Sequence, residues 1–276
     1  AQDDAKTYGA TTTSTKQLSY SADNGSASAT AIDGTGYTVT GLYSGDTLSA
    51  VTLTSNGGLA RSEVGGGTGT GGAYTIAPTI KTASGNVSST NYDIVLGNGL
   101  MTVNRANLTF TTTPSTSGNI YNGSSYTTHV TSTAVNDDTF TVSGQATGTN
   151  AGTYTSALSA TVAKLANYNA PSYVNGDLVI TPKAVTITDT SISRTYDGTS
   201  IYSTLVGNAG YATSGLVGSD AVGSVTQTIV AGGNTVSSGV AQAGSFTATP
   251  SAVVLSTGTA GNYSFSYVAA SNTIAK

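Results

Sequence analysis

Apolar and polar residues alternate with a period of two through much of this chain. Runs such as Leu108-Thr109-Phe110, Val185-Thr186-Ile187 and Tyr263-Ser264-Phe265-Ser266-Tyr267 place every second side chain on one face, the pattern of a strand with one side buried. No run carries the 3.6-residue period of an amphipathic helix. The predicted elements are therefore many short strands joined by tight turns, in an all-β or mostly β chain.

Turn chemistry divides the chain further. Three similar runs close three segments: Asn91-Tyr92-Asp93-Ile94-Val95-Leu96-Gly97-Asn98-Gly99-Leu100, then Asn167-Tyr168 leading through Tyr173-Val174-Asn175-Gly176-Asp177-Leu178-Val179-Ile180, then Asn262-Tyr263-Ser264-Phe265-Ser266-Tyr267-Val268. In the first two, an Asn-Gly pair between apolar alternations predicts a hairpin with a two-residue type I′ turn, because both residues accept positive φ. The third carries Ala269-Ala270-Ser271-Asn272 there and needs a different turn. Ahead of each run stands a Gly-x-aromatic strand start, Gly72-Ala73-Tyr74, Gly152-Thr153-Tyr154 or Gly244-Ser245-Phe246. Near each segment's beginning is a turn with an aromatic anchor, Tyr8-Gly9, Tyr121-Asn122-Gly123 or Tyr196-Asp197-Gly198. Between these landmarks Gly41-Leu42-Tyr43-Ser44-Gly45-Asp46 parallels Gly215-Leu216-Val217-Gly218-Ser219-Asp220, and the middle segment keeps Val135-Asn136-Asp137-Asp138.

Landmarks recurring in one order define units of 1–104, 105–183 and 184–276. At Val103-Asn104-Arg105-Ala106 and Ile180-Thr181-Pro182-Lys183-Ala184 one unit's last strand runs almost directly into the next unit's first, and Pro182 restricts the residue before it to extended backbone. Three tandem small β-rich domains, stacked as an elongated rod without flexible linkers, are expected. Each is expected to be an Ig-like sandwich or a β-grasp-like sheet.

The Tyr-Gly and Tyr-Asp-Gly turns, the Gly-Leu-x-x-Gly-Asp segment and the Asn-Tyr…Asn-Gly-x-Leu-x-Ile-Thr-Pro ending resemble the MBG and YDG repeat domains of filamentous-haemagglutinin-like adhesins. Unit 1–104, with Lys6-Thr7-Tyr8-Gly9, is similar to the MBG type, and 105–183 to a divergent MBG type. Unit 184–276, with Arg194-Thr195-Tyr196-Asp197-Gly198-Thr199, is similar to the YDG type. The resemblance implies two-partner secretion, with an outer-membrane transporter as partner during export. It also implies a place at the bacterial cell surface or outside the cell, and a stalk role beside other repeats of the same long chain.

Composition narrows the function. Only 8% of residues are charged and the net charge is −4, with basic residues scattered singly, so no basic stripe is available for nucleic acid or anionic membranes. The 35 Gly against 5 Pro suit many tight turns rather than collagen. No apolar run approaches the roughly 20 residues that cross a bilayer, and Ala1-Gln2-Asp3-Asp4 is not a signal peptide, so a soluble, monomeric chain exported by a signal outside it is expected. Cysteine is absent, which rules out disulfides and suits a chain that crosses an outer membrane unfolded.

Catalytic chemistry finds little to work with. His129 is the only histidine and has no distinctive nucleophile or acid beside it in sequence. Glu63 is the only glutamate, so a glutamate pair for glycoside hydrolysis cannot exist. Asp3-Asp4, Asp137-Asp138 and the turn Asp33-Gly34 offer oxygens to calcium, but none has EF-hand or nonapeptide spacing, and they read as turn caps. The glycine-rich run 65–72 lacks the lysine and helix of a phosphate cradle. No catalytic residue, cofactor or metal site is assigned. Five Asn-x-Ser/Thr sequons, at Asn24, Asn86, Asn107, Asn122 and Asn262, are potential glycan acceptors.

Tyrosine, present 16 times, is the abundant side chain able to stack on a sugar face. Tyr43, Tyr126, Tyr202 and Tyr211 lie outside the repeated landmarks and are the candidates for ligand stacking, whereas the recurrence of Tyr92, Tyr168 and Tyr263 points to core or turn roles. The expected function is a non-enzymatic stalk segment supporting adhesion or biofilm. The alternative is that the repeats themselves are a carbohydrate-binding module for host glycan or biofilm polysaccharide, and glycan or a host surface receptor is the expected outside partner.

Overall fold

The computed structural model describes the chain apart from residues 11–26, 32–35, 68–72, 85–86, 89, 116–117, 192, 199–209 and 232–241. Strands take up 51% of the residues, and the helical elements described are short 3-10 turns of three or four residues. The chain is β, as its period-two pattern predicts. It packs as two compact units: Ala1–Thr111 with Val130–Gly144 and Leu158–Val174, and Thr112–His129 with Gln145–Ala157 and Asn175–Lys276. Segment 105–183 contributes residues to both.

In the first unit a five-stranded sheet has the order Asp4–Thr7, Gly99–Asn104, Tyr74–Ser84, Thr47–Ser55 and Ala27–Ala31. The first pair is parallel, with Lys6 opposite Val103, and the others are antiparallel. Burial alternates strictly along Gly99–Asn104, which sends Met101 into a cluster with Tyr37, Val51, Leu53 and Ile76. Val103, two residues on, enters a second cluster with Tyr8, Leu108, Phe110, Leu158 and Tyr168. Phe110 reaches it from Thr109–Thr112, which runs parallel to Ser172–Val174. Its ring meets Phe140 edge-on at 4.9 Å and stacks on Tyr173 at 5.9 Å. Burying one such ring contributes about 2 to 3 kcal/mol.

In the second unit Lys183–Asp189 lies between antiparallel Tyr211–Ser214 and parallel Tyr263–Val268. Beside that sheet is another with the order Ser193–Thr195, Ala270–Ala275, Gly244–Thr257 and Ala221–Ala231. Val185 and Ile187, two apart on one strand, point into a core with Tyr121, Leu178, Ile180, Val225 and Tyr263.

The Asn-Gly pairs differ from the expected hairpin turns. Residues 93–98 form no strand, and Ser172–Val174 and Asp177–Ile180 pair with Thr109–Thr112 and Gly152–Thr155 rather than with each other. These glycines serve close approach, not positive φ. A Cβ on Gly176 would lie 2.5 Å from the Thr112 carbonyl oxygen, and one on Gly99 2.3 Å from that of Gln2. The junctions do run strand to strand: Gly99–Asn104 is followed by Thr109–Thr112, and Asp177–Ile180 by Lys183–Asp189 across Thr181 and Pro182. Gly72 and Thr199 lie outside the described residues.

Candidate functional site

The landmarks meet in two constellations, one in each unit. In the first unit Tyr8 and Tyr168 cross edge to face at 5.5 Å and 82°, and both hydroxyls donate to Asp138 Oδ2, at 2.9 and 2.8 Å. In the second, Tyr121 and Tyr263 cross at 5.4 Å and 84°. There Tyr263 donates to Asp220 Oδ2 at 2.5 Å, with the Tyr121 hydroxyl 3.5 Å from the same oxygen. Perpendicular ring pairs contribute about 0.5 to 1.5 kcal/mol beyond their buried area, and hydrogen bonds to a charged group about 1.5 to 3 kcal/mol.

Each carboxylate ends the same turn. The backbone N–H of Asp46, Asp138 and Asp220 donates to the carbonyl three residues earlier, on Tyr43, Val135 and Val217, at 3.1, 3.1 and 3.0 Å. The N–H of those earlier residues donates to the hydroxyl of Tyr92, Tyr168 and Tyr263, at 3.1, 3.0 and 3.1 Å. Three sequences close this turn differently. Asn136 and Asp137 take φ of 58° and 57°, whereas the positive value falls on Gly45 at 95° or Gly218 at 58° in the others, as turn types I′, II and II′ require.

The tyrosines also arrive by repeated routes. Tyr168 and Tyr263 follow the 3-10 turns Leu165–Asn167 and Ala260–Asn262. The Oδ1 of Asn167 accepts from the Val64 N–H at 2.9 Å and that of Asn262 from the Ala151 N–H at 2.7 Å. Tyr8, Tyr121 and Tyr196 donate their backbone N–H to Asn104, Thr181 and Ala275, at 2.8, 3.0 and 2.9 Å. Each such tyrosine is therefore tied to the end of its own segment's last strand, and Tyr8 and Tyr121 put their rings among the aspartate and Asn-Tyr landmarks of the next segment.

The remaining members are disposed differently. Tyr92 donates to Asp46 Oδ2 at 2.5 Å, and the ring beside it is Tyr43, tilted by 46° at 6.3 Å and 79% exposed. Tyr196 is 45% exposed, against 2% for Tyr8 and 8% for Tyr121. Next to Tyr92 opens a cleft of about 180 Å³ whose walls include Tyr37, Leu42, Leu48, Ile80, Ile94 and Leu96.

Burial, then the hydrogen bond to Asp220, pushes the Tyr263 hydroxyl up to about 12. Burial also leads in raising Tyr8 and Tyr168. These phenols hold their protons at neutral pH and act as hydrogen-bond donors.

Of the stacking candidates, Tyr43 stands out into solvent. Tyr126 is half-buried with its hydroxyl donating to the Ile120 carbonyl at 2.8 Å, and Tyr211 is half-buried with burial raising its hydroxyl. Both pack against the second unit's core. Tyr202 lies outside the described residues, as do Asp33, Gly34, Asn24 and Asn86. His129 is exposed, Asp137 faces Arg61 at 3.6 Å and Glu63 faces Lys164 at 3.4 Å. Among the described residues no three His, Cys, Asp or Glu side chains converge as a metal site, and no helix is long and apolar enough to cross a membrane.

Sequence reasoning missed Asp138 and Asp220 as the acceptors that join paired tyrosines. The available signal was an aspartate in the last position of all three turn landmarks. Comparison with protein-family models, curated proteins and solved structures found no match.

Proposed function

We propose that this chain is a non-enzymatic structural segment of a large bacterial adhesin, displayed at the cell surface or secreted, in which repeats of the MBG and YDG kind give length to a stalk. The observation that carries this reading is the tyrosine–aspartate constellation made twice. In each, a turn belonging to one sequence repeat is buried against landmarks of the next. Residues of unusual chemistry are thereby used for cohesion between successive repeats. On this reading the neighbours are further repeats of the same long chain, with an outer-membrane transporter met only during export.

A second reading, a carbohydrate-binding module, is favoured by one feature: the exposed Tyr43 ring beside Tyr92, which lines the cleft. A glycan array with the purified chain separates the two. A stalk segment gives no specific signal, whereas a binding module gives one that Tyr43→Ala removes. Small-angle scattering tests the length directly. Three stacked domains of this size reach about 100 Å, and a maximum dimension near ~65 Å would take away the stalk reading's physical basis.

A further inference from the structure

In the second and third segments, the residues just after the Asn-Tyr tyrosine pair in parallel with the first strand of their own segment. Ser172, Tyr173 and Val174 lie opposite Thr109, Phe110 and Thr111, and Tyr263–Val268 runs along Lys183–Asp189. That first strand feeds the core: Leu108 and Phe110 in one case, Val185 and Ile187 in the other, are at most 2% exposed. Among the described residues, segment 1–104 has no strand in this place. Residues 93–97 follow Tyr92 outside any strand, and Asp4–Thr7 pairs along Gly99–Asn104 instead.

The second segment sets the register. Asp4 stands opposite Met101 as Ser115 stands opposite Leu178, in each case two residues after the glycine of an Asn-Gly pair, Gly99 or Gly176. Ala1, three residues before Asp4, therefore takes the place of Thr112, and Val95, Leu96 and Gly97 take those of Ser172, Tyr173 and Val174. The Ala1 ammonium donates to the Gly97 carbonyl oxygen at 2.5 Å, as that register requires of a parallel ladder. The side chains agree with it. Phe110 packs against Phe140 and Tyr173. Phe140 lies two residues after Asp138, as Leu48 does after Asp46, so Leu48 and Leu96 are the counterparts of these two rings, and both line the cleft. The cleft occupies the place of Phe110. Its volume of about 180 Å³ suits such a side chain, since an apolar cavity of about 150 Å³ holds a benzene ring. Tyr37, another wall residue, is 7% exposed, and its buried hydroxyl has no hydrogen-bond partner. Buried hydroxyls are normally paired, and a strand entering the cleft brings carbonyl oxygens into that space.

We propose that the 93–97 edge and its cleft are the docking site of the strand that immediately precedes Ala1 in the parent chain. The strand runs parallel to residues 95–97 and puts a large apolar side chain, two positions before Ala1, into the cleft. The occupant is the chain's own upstream strand rather than a separate molecule, because Ala1 lines the cleft and its backbone already bonds to the edge. In the later segments the corresponding strand follows almost directly on the preceding segment's last strand, so the docked strand joins residues 1–104 to a further repeat upstream. The inference deepens the structural-segment reading and rests on it.

A tethered strand tests this on the full 276-residue chain. Residues 105–111, Arg-Ala-Asn-Leu-Thr-Phe-Thr, are copied directly in front of Ala1, and amide exchange is followed residue by residue by NMR. The Ser172 N–H donates to the Leu108 carbonyl at 3.0 Å, and bonds of a parallel ladder recur at every second residue, so Val95 and Gly97 are the amides to watch. Both are expected to exchange at least about tenfold more slowly than in the unextended chain. A control extension with aspartate in place of the copied phenylalanine leaves the 276 residues unaltered and is expected to give no protection, as is Leu96→Asp in the extended chain. Unchanged exchange along Gly99–Asn104 reports that the first unit is folded in each case. Less protection than this, or equal protection from the aspartate control, overturns the proposal. So does equal protection of the unextended chain by the free heptapeptide at about 100 μM, well below the millimolar effective concentration of a tether, since the edge would then serve a separate molecule. Neither the glycan array nor the solution length depends on this result, so failure of the strand site and failure of the stalk reading are told apart.

Discussion

Replacing Asp138 with alanine removes the oxygen on which the Tyr8 and Tyr168 hydroxyls converge, at 2.9 and 2.8 Å. The Asp138 side chain is only 4% exposed, and its other charged neighbour, Lys164 at 3.8 Å, is 42% exposed and adds little. Two hydrogen bonds to a charged acceptor have a nominal sum of about 3 to 6 kcal/mol. Two effects reduce it. Tyr168 can turn its hydroxyl to the Val135 carbonyl at 3.2 Å, and removing the carboxylate relieves its own desolvation. What is left is mainly the stranded Tyr8 hydroxyl and a small void, about 3 kcal/mol.

Because the chain packs as two units, one global unfolding curve need not be two-state, and hydrogen exchange read by mass spectrometry is the better assay. A loss of about 3 kcal/mol corresponds to roughly 100-fold faster exchange. Amides of Gly99–Asn104, in the first unit, are expected to show it, while those of Ala270–Ala275, in the second, keep their wild-type rates. Less than about fivefold acceleration for Asp138→Ala, or equal acceleration in the two strands, would refute the assignment of this aspartate as the tie of the first unit.

Three further outcomes follow from the geometry. Gly176→Ala is expected to cost more than about 2 kcal/mol in the second unit, since the added Cβ meets the Thr112 carbonyl oxygen at 2.5 Å and the Pro114 nitrogen at 2.7 Å, and urea denaturation measures it. Burial lowers Lys6 to about 8. Between that pH and the unfolded value near 10.4 the folded chain carries fewer protons, so the first unit gains stability as pH rises, a slope that Lys6→Met abolishes. The raised tyrosines act oppositely: their contribution is fully present below about pH 10 and is lost as pH climbs through the folded value of Tyr263, about 12. Both show in exchange rates measured against pH. His129→Ala, at an exposed position, is expected to stay within about 0.5 kcal/mol of wild type by thermal unfolding.

The strand content and the landmarks were legible because both are local signals. A period of two needs only a few residues, and turns such as Tyr8-Gly9 or 43–46 carry their geometry in Gly, Asn and Asp. The recurrence of Tyr92, Tyr168 and Tyr263 likewise marked them as structural. What could not be read was partnership across long separations, because nothing near Tyr8 in sequence names Asp138, 130 residues away. The Asn-Gly pairs misled for a related reason. Positive φ and close backbone approach both select glycine, and only the long-range neighbours of Gly99 and Gly176 distinguish the two uses. A place outside the landmarks does not fix exposure either: Tyr126 is half-buried because the second unit's core packs against it.

The pairing of Tyr8 with Asp138, and of Tyr121 with Asp220, shifts the structural period of this chain relative to its sequence period. Tyr8 and Tyr121 are each buried against landmarks of the sequence segment that follows their own, so the stability they contribute is not completed by their own segment's residues. The stability of each compact unit then depends on residues drawn from two successive segments of the sequence. This also explains how a chain with only 8% charged residues gains specificity at its contacts. An apolar patch would adhere to any other apolar patch, whereas two perpendicular rings sharing one carboxylate oxygen accept only a turn that presents a phenol at the right height and angle. Tyrosine is suited to this role because it buries a large ring and still ends in a donor. The contact thus tolerates two different turn sequences, at residues 135–138 and 217–220, while holding one aspartate oxygen against two tyrosine hydroxyls.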